Sequence, residues 1–146
     1  MALTIVIDQV SKWIADANLV YQQGIEFLPF LALYRVNNTG IAFSLGNSAD
    51  SLILIVLTAI VTGIVLYVWR SSTDGGRLAT TGFALIAGGA VGNLIDRVWH
   101  GHVIDFLFLH WNERGFFVFN LADVALTLGP ILLAWVFLFQ GGKKAG

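Results

Sequence analysis

The chain has no cysteine. That excludes disulfides, thiol catalysis, iron–sulfur clusters and cysteine-type zinc sites. Charge is also scarce: only 12% of the 146 residues are Asp, Glu, Lys or Arg, about half the ~25% usual in a soluble domain. There is no surplus of positive charge either. The formal net charge is -1, so nothing points to nucleic acid. Apolar residues fill the sequence instead: 57% are hydrophobic and the mean hydropathy is +0.78. This composition predicts an integral membrane protein, with residues 1–146 forming one domain.

Four spans are expected. Residues 52–69 are uncharged and close to the ~20 residues needed to cross ~30 Å of hydrocarbon. Residues 78–95 are also uncharged and carry Gly82, Gly88, Gly89, Ala90 and Gly92, small residues that let helices approach closely in lipid. Residues 121–140 are broken only by Asp123 near the start and Pro130 inside. A membrane helix tolerates proline because neighbours satisfy the freed carbonyl. Residues 2–20 are weaker, holding Asp8, Lys12 and Asp16. Asp8 and Lys12 are spaced i, i+4, so they share a helix face and can pair. The alternative for this segment, a cleaved signal peptide, fits poorly: no basic stretch precedes the apolar one, and Asp8 interrupts it. Arg70, Arg77, Lys143 and Lys144 place the second-to-third loop and the tail in the cytoplasm. Both termini are then inside, while residues 21–50 and 96–120 face outward, with Arg35, Arg97 and Arg114 as the opposing charges.

The outer segments have strand character. Residues 27–36 are extended, with Pro29 limiting them to a sheet edge or a strand start. Residues 37–40 (NNTG) signal a turn, and the apolar Ile41, Ala42 and Phe43 follow. Residues 103–109 and 116–119 are short, apolar and β-prone. The expected fold is all-α with four transmembrane helices and a small extracytoplasmic β-sheet lying on the membrane. Phe106, Phe108, Trp111, Phe116, Phe117 and Phe119 suit an interfacial position or pack the sheet.

Two aspartates stand at the outer ends of apolar runs, Asp105 and Asp123. A carboxylate beside hydrocarbon is costly and suggests function by default. Each has an ordinary alternative nearby: Asn120 can cap the last helix with Asp123 in its first turn, and Asp96 with Arg97 can form an interfacial ion pair. Yet the third span runs outward and the fourth starts outside. Asn93, Asp96, Arg97, Asp105, Asn120 and Asp123 therefore meet at one depth, which suggests an aspartyl dyad at a membrane surface. Other chemistries fit less well. His100 and His102, with His110, lack the HExxH spacing of a helical zinc pair. Ser11 and Lys12 are adjacent on a helix and do not face each other. Gly88-Gly89 lies inside a span and reads as a packing face. A proton relay of a small transporter is a competing use of membrane acids, although relay acids usually lie near the midplane. A non-catalytic helical assembly factor is the third reading.

The motifs resemble, in order along nearly the whole chain, those of the lipoprotein signal peptidase (signal peptidase II) family. They are Asp8-Gln9 with Lys12, residues 38–43 (NTGIAF), residues 89–97 (GAVGNLIDR), residues 103–106 (VIDF) and residues 119–123 (FNLAD). The resemblance implies an aspartic endopeptidase of the bacterial inner membrane that cuts signal peptides from diacylglyceryl-modified prolipoproteins just before the lipid-modified cysteine. It places the catalytic pair on Asp105 and Asp123 and supporting polar residues on Asp8, Lys12, Asn38, Asn93, Asp96, Arg97 and Asn120. It implies no cofactor and no metal, with membrane lipid as surroundings and a monomer as the working unit. Two close carboxylates share one proton; the ionised one serves as general base on water and the protonated one polarises the scissile carbonyl. Asn38 is expected to contact substrate backbone, with residues 21–50 folding over the dyad. Only seven residues precede Asp8, about 10 Å of helix. Either the first helix is short and shielded by its neighbours, or the natural start lies upstream.

Overall fold

The computed structural model describes residues 1–40, 48–72 and 76–140. Helix α1 (Ala2–Asn18) leads into strands β1 (Gly24–Leu28) and β2 (Leu31–Asn38), then helices α2 (Ser48–Ser71) and α3 (Gly76–His100). Strands β3 (Val103–Trp111) and β4 (Arg114–Phe119) follow, and helix α4 (Leu121–Trp135) continues as a π-helical turn, Val136–Gln140. The molecule is thus mostly helical with one antiparallel sheet in the order β1-β2-β3-β4. The expected residues Ile41, Ala42 and Phe43, and the tail lysines Lys143 and Lys144, lie outside the described residues.

Three helical stretches are long and apolar enough to cross a membrane: Leu52–Ser71, Gly76–His100 and Leu121–Phe139. The first has a mean hydropathy of 2.7 and only 6% of it is buried, so Ile53, Leu57, Ile60, Ile64 and Tyr67 are exposed. In water such a surface is untenable; in lipid it is the expected outer face. Helix α1 differs from the other three. Its 17 residues span about 25 Å at 1.5 Å per residue, and three of them are charged. Its first turn lies beside Gly88, midway along α3, where an added Cβ would meet Thr4 and the Met1 carbonyl. Among the described residues, three helices are of membrane length and α1 is shorter and more polar.

Helix α3 is the centre, packed against α1, α2 and α4. Close approach depends on its small residues. A Cβ at Gly89 would stand 2.5 Å from the Ala122 carbonyl oxygen, so α4 crosses α3 there backbone to backbone. Toward the other end, Ala79, Phe83 and Val136 form a core with Val65, Trp69 and Leu133 against it. The Trp69 and Phe83 rings stack with centroids 6.3 Å apart.

The sheet corrects one expectation. Pro29 occupies neither an edge position nor a strand start; with Phe30 it forms the two-residue turn between Leu28 and Leu31, which pair. Its fixed φ suits a turn, and the strand donors it cannot supply are not needed there. Asn37 and Asn38 are likewise strand residues, paired with Ile104 and Val103, and of the expected turn only Thr39 and Gly40 lie outside the strand. A register shift between Leu33 and Val36 puts one extra residue on β2 opposite β3. Bulges of this kind re-aim side chains, and this one lies where Val36 pairs with Asp105. Trp111, Phe116 and Phe117 are exposed, but Phe106 is 7% exposed and belongs to the core rather than to the interface.

Candidate active site

Helix α3 ends at His100, and Gly101, at φ +75, turns the chain back with its N–H on the Arg97 carbonyl. Glycine is the residue that adopts this left-handed helix stop without strain. Strand β3 therefore starts beside the end of α3, and the Asp96 carboxylate accepts the Ile104 N–H at 3.1 Å. Two residues along β3 from Val103 is Asp105, 1% exposed. On the other side, Asn120 caps α4. Its side chain accepts the Asp123 N–H at 3.0 Å, and the Asp123 carboxylate accepts the Asn120 N–H at 3.2 Å. The sequence-expected cap and the sequence-expected dyad residue are thus the same structural unit, a capping box.

Each oxygen of the two aspartates is held by one N–H. Asp105 Oδ1 accepts from Asn120 Nδ2 at 2.6 Å, and Oδ2 from Asn38 Nδ2 at 2.8 Å. Asp123 Oδ1 accepts from Asn93 Nδ2 at 2.8 Å, and Oδ2 from the Asn120 backbone. A carboxylate oxygen has two acceptor positions, and among the described residues one is filled on each. Asn120 also donates to Asn93 Oδ1 at 3.2 Å, joining the two halves. Burial pushes the Asp105 carboxyl up to about 6; the Asn38 amide pulls it down and the charge of Asp123 pushes it up again. Asp123 is half-buried, nearer the surface than Asp105.

Behind the pair lies a second polar layer. Lys12, 2% exposed, donates to Asp8 Oδ2 at 2.8 Å, Asp96 Oδ2 at 2.9 Å and Asn93 Oδ1 at 2.9 Å. Asp8 is fully buried and accepts the Ala122 N–H at 2.9 Å with its other oxygen. The i, i+4 pairing of Asp8 with Lys12 stands. The alternative pairing of Asp96 with Arg97 does not: the ion-pair partner of Asp96 among the described residues is Lys12. Arg97 donates to the Asn93 carbonyl at 3.3 Å and lies within electrostatic reach of Asp123, Asp105 and Asp96.

All nine sequence-expected residues therefore gather in one network. Sequence reasoning left three participants out of it. Gln9 bridges Asp96 Oδ1 at 2.9 Å, Asp8 and the Gly92 carbonyl. Gly92 has no room for a side chain, since a Cβ would run into the Asp8 carboxylate. Ala122 contributes its backbone N–H. All three stand inside the motifs that carry the resemblance, Gln9 beside Asp8, Gly92 in residues 89–97 and Ala122 in residues 119–123, but nothing local in those motifs indicates their partners. One N–H of Asn38 goes to Asp105 and its Oδ1 accepts the Gly40 N–H at 2.8 Å; the exposed amide keeps its second N–H and a second lone pair. The His100 and His102 rings lie 5.9 Å apart; among the described residues no three His, Asp or Glu side chains are grouped as metal ligands.

Residues 1–139 match the sequence model of the family described as Signal peptidase (SPase) II. The chain belongs to the signal peptidase II family. Lipoprotein signal peptidases of Brucella ovis and Brucella canis are each 45% identical to it over 131 residues, covering 90% of this chain and 82% of theirs. Two solved structures described as bacterial membrane enzymes, obtained by the in meso method at 2.3 and 1.9 Å, superpose with TM-scores of 0.83 and 0.82. They are 28% and 27% identical, and the alignments cover 98% and 99% of this chain and 87% and 90% of those chains. The signal peptidase II assignment makes this a membrane protease that removes signal peptides from prolipoproteins.

Proposed function

We propose that this signal peptidase II cuts diacylglyceryl-modified prolipoproteins immediately before the lipid-modified cysteine, and that Asp105 and Asp123 are its catalytic pair. The observation that carries the reading is that both carboxylates are fixed by the amides of Asn38, Asn93 and Asn120, and that Asn120 joins the two. The pair holds one proton. Its ionised member takes a proton from water as that water attacks the scissile carbonyl, and its protonated member donates to the developing oxyanion. The proton then passes to the leaving amine as the tetrahedral intermediate collapses. Asn38, Asn93 and Asn120 hold the carboxylates. Arg97 balances their charge, and Asp8, Lys12 and Asp96 fasten α1 to the site.

Four membrane helices with both termini in the cytoplasm, α1 being the short fourth, put this site at the outer face of the inner membrane, inside one domain. The exposed apolar surfaces of α1 and α2 support a lipid environment, and the working unit is a monomer. The direct test is incubation of the purified protein with a diacylated prolipoprotein and mass analysis of the products. A cut before the modified cysteine, lost in Asp105→Asn and in Asp123→Asn, is the expected result. A cut elsewhere, or no dependence on the lipid, refutes the reading.

A further inference from the structure

The ammonium of Lys12 has three hydrogens and three acceptors, one of which is not a carboxylate: the Asn93 side-chain oxygen at 2.9 Å. Charge compensation does not require that third bond, because Asp8 and Asp96 already flank the ammonium. Its consequence is orientation. An ammonium only donates, so the amide must present Oδ1 to Lys12, and its Nδ2 then faces Asp123 Oδ1 at 2.8 Å. The reversed amide would point N–H groups at a buried cation and an oxygen at Asp123. A carboxylate repels that oxygen; only a protonated carboxyl, which has a hydrogen to give, accepts it. The second donor on Asn93 Oδ1, Asn120 Nδ2 at 3.2 Å, enforces the same orientation but can itself rotate. Lys12 cannot switch from donor to acceptor.

We propose that Lys12 is a positioning residue that acts through the Asn93 amide, locking its N–H toward Asp123 and so keeping Asp123 the ionised, water-activating member of the pair while the shared proton rests on Asp105. Two further features point the same way. Asp123 stands in the first turn of α4, where the helix dipole favours negative charge, and it is half-buried, whereas Asp105 is buried on β3. The charged groups facing Lys12 are Asp8 from its own helix and Asp96 from α3, with Asp105 of β3 further out. The inference rests on the dyad reading above.

The experiment is a double-mutant cycle on the purified, detergent-solubilised enzyme, using Lys12→Met, Asn93→Ala and both together. Cleavage rate is measured against pH, and melting temperature is recorded for every variant. Lys12→Met should lower kcat by about 10- to 100-fold, a part of the ~10²–10⁴ that positioned acid–base groups supply, with KM nearly unchanged. The low-pH limb of its profile should move toward neutrality. In the Asn93→Ala background the same change should cost little more, because the route is already cut. Asp8→Asn/Lys12→Met removes the excess buried charge and replaces Lys12→Met if that variant does not fold. Infrared spectra give a readout that needs no substrate: in Asp8→Asn/Lys12→Met, which leaves no excess buried charge, a protonated-carboxyl band beyond that of Asp105 should grow at neutral pH and vanish again when Asp123→Asn is added. Additive losses with an unshifted pH profile, or no new carboxyl band, overturn the proposal. Failure of the wild-type enzyme to cut prolipoprotein would overturn the dyad reading instead, and the infrared result would still decide the role of Lys12.

Discussion

At the scale of single residues, the two aspartates are held by similar N–H donors in different surroundings. Asp105→Asn and Asp123→Asn should each lower the cleavage rate by about 10²–10⁴-fold, the share that acid–base catalysis contributes; the melting temperature should drop only modestly, because the amide oxygen keeps one of the two N–H bonds and the other is lost. A variant of either position that turns over at the wild-type rate would remove it from the pair. The pH profile carries a second prediction. Asp105 titrates near about 6, raised chiefly by burial, so the shared proton is held below that pH and lost above it. Activity should therefore fall on a basic limb, which belongs to the coupled pair rather than to one residue. The Asn38 hydrogen bond favours the carboxylate. Asn38→Ala should therefore move the limb to higher pH and slow cleavage, with little change in melting temperature. A limb that stays in place or moves down would show that Asn38 does not govern the Asp105 proton. Metal dependence is checked at this scale too: activity should persist in EDTA and in His100→Ala/His102→Ala, and loss restored by zinc would move the chemistry to the histidines.

At the scale of elements, the contact of α3 with α4 sets the geometry of the site, because Asn93 rides on one helix and Asp123 on the other. Gly89→Ala should destabilise the protein by about 1–3 kcal/mol, the range for overpacking, since its Cβ meets a backbone oxygen that has no rotamer to give. Gly63→Ala on α2, with nothing within 4 Å, is the control and should not lower the melting temperature. Equal behaviour of the two would mean that the close approach at Gly89 carries no weight. The elements also show what was legible in the sequence. Apolar run length marked α2, α3 and α4, and the Asn120–Asp123 spacing marked the cap, because these are local properties of the chain. The i, i+4 spacing marked the Asp8–Lys12 pair for the same reason. Pro29 was misplaced because an extended run and a two-residue turn flanked by strands look alike until pairing is known. Most hidden was the bond from Asn38 to Asp105, 67 residues apart, which depends on a strand pairing and a bulge that no local pattern encodes. Gln9 reaches α3 by a similar long-range route.

At the scale of the whole molecule, the remaining question is which way the assembly faces. The sheet and the dyad sit at one end of α3, where Trp13, Trp99 and Trp111 are exposed. Arg70 and Arg77 flank the opposite end. Positive residues beside membrane helices stay in the cytoplasm, and indole rings collect at the membrane–water boundary. Together they predict that the hairpin between β3 and β4 is outside and the α2–α3 connection inside. The absence of cysteine makes this directly measurable, since any thiol signal comes from the residue introduced. Glu113→Cys, exposed in the β3–β4 turn, should react with a membrane-impermeant maleimide on intact spheroplasts. Ser71→Cys, exposed at the end of α2, should react only after permeabilisation, and it leaves both arginines in place. The proposed cleavage requires the same result: an exported prolipoprotein presents its cut site on the outer side, so the proposed pair belongs on the labelled side. Labelling at position 71 but not at 113 on intact spheroplasts would place the carboxylate pair on the cytoplasmic side, away from any exported prolipoprotein, and the cleavage reading would fall with the topology.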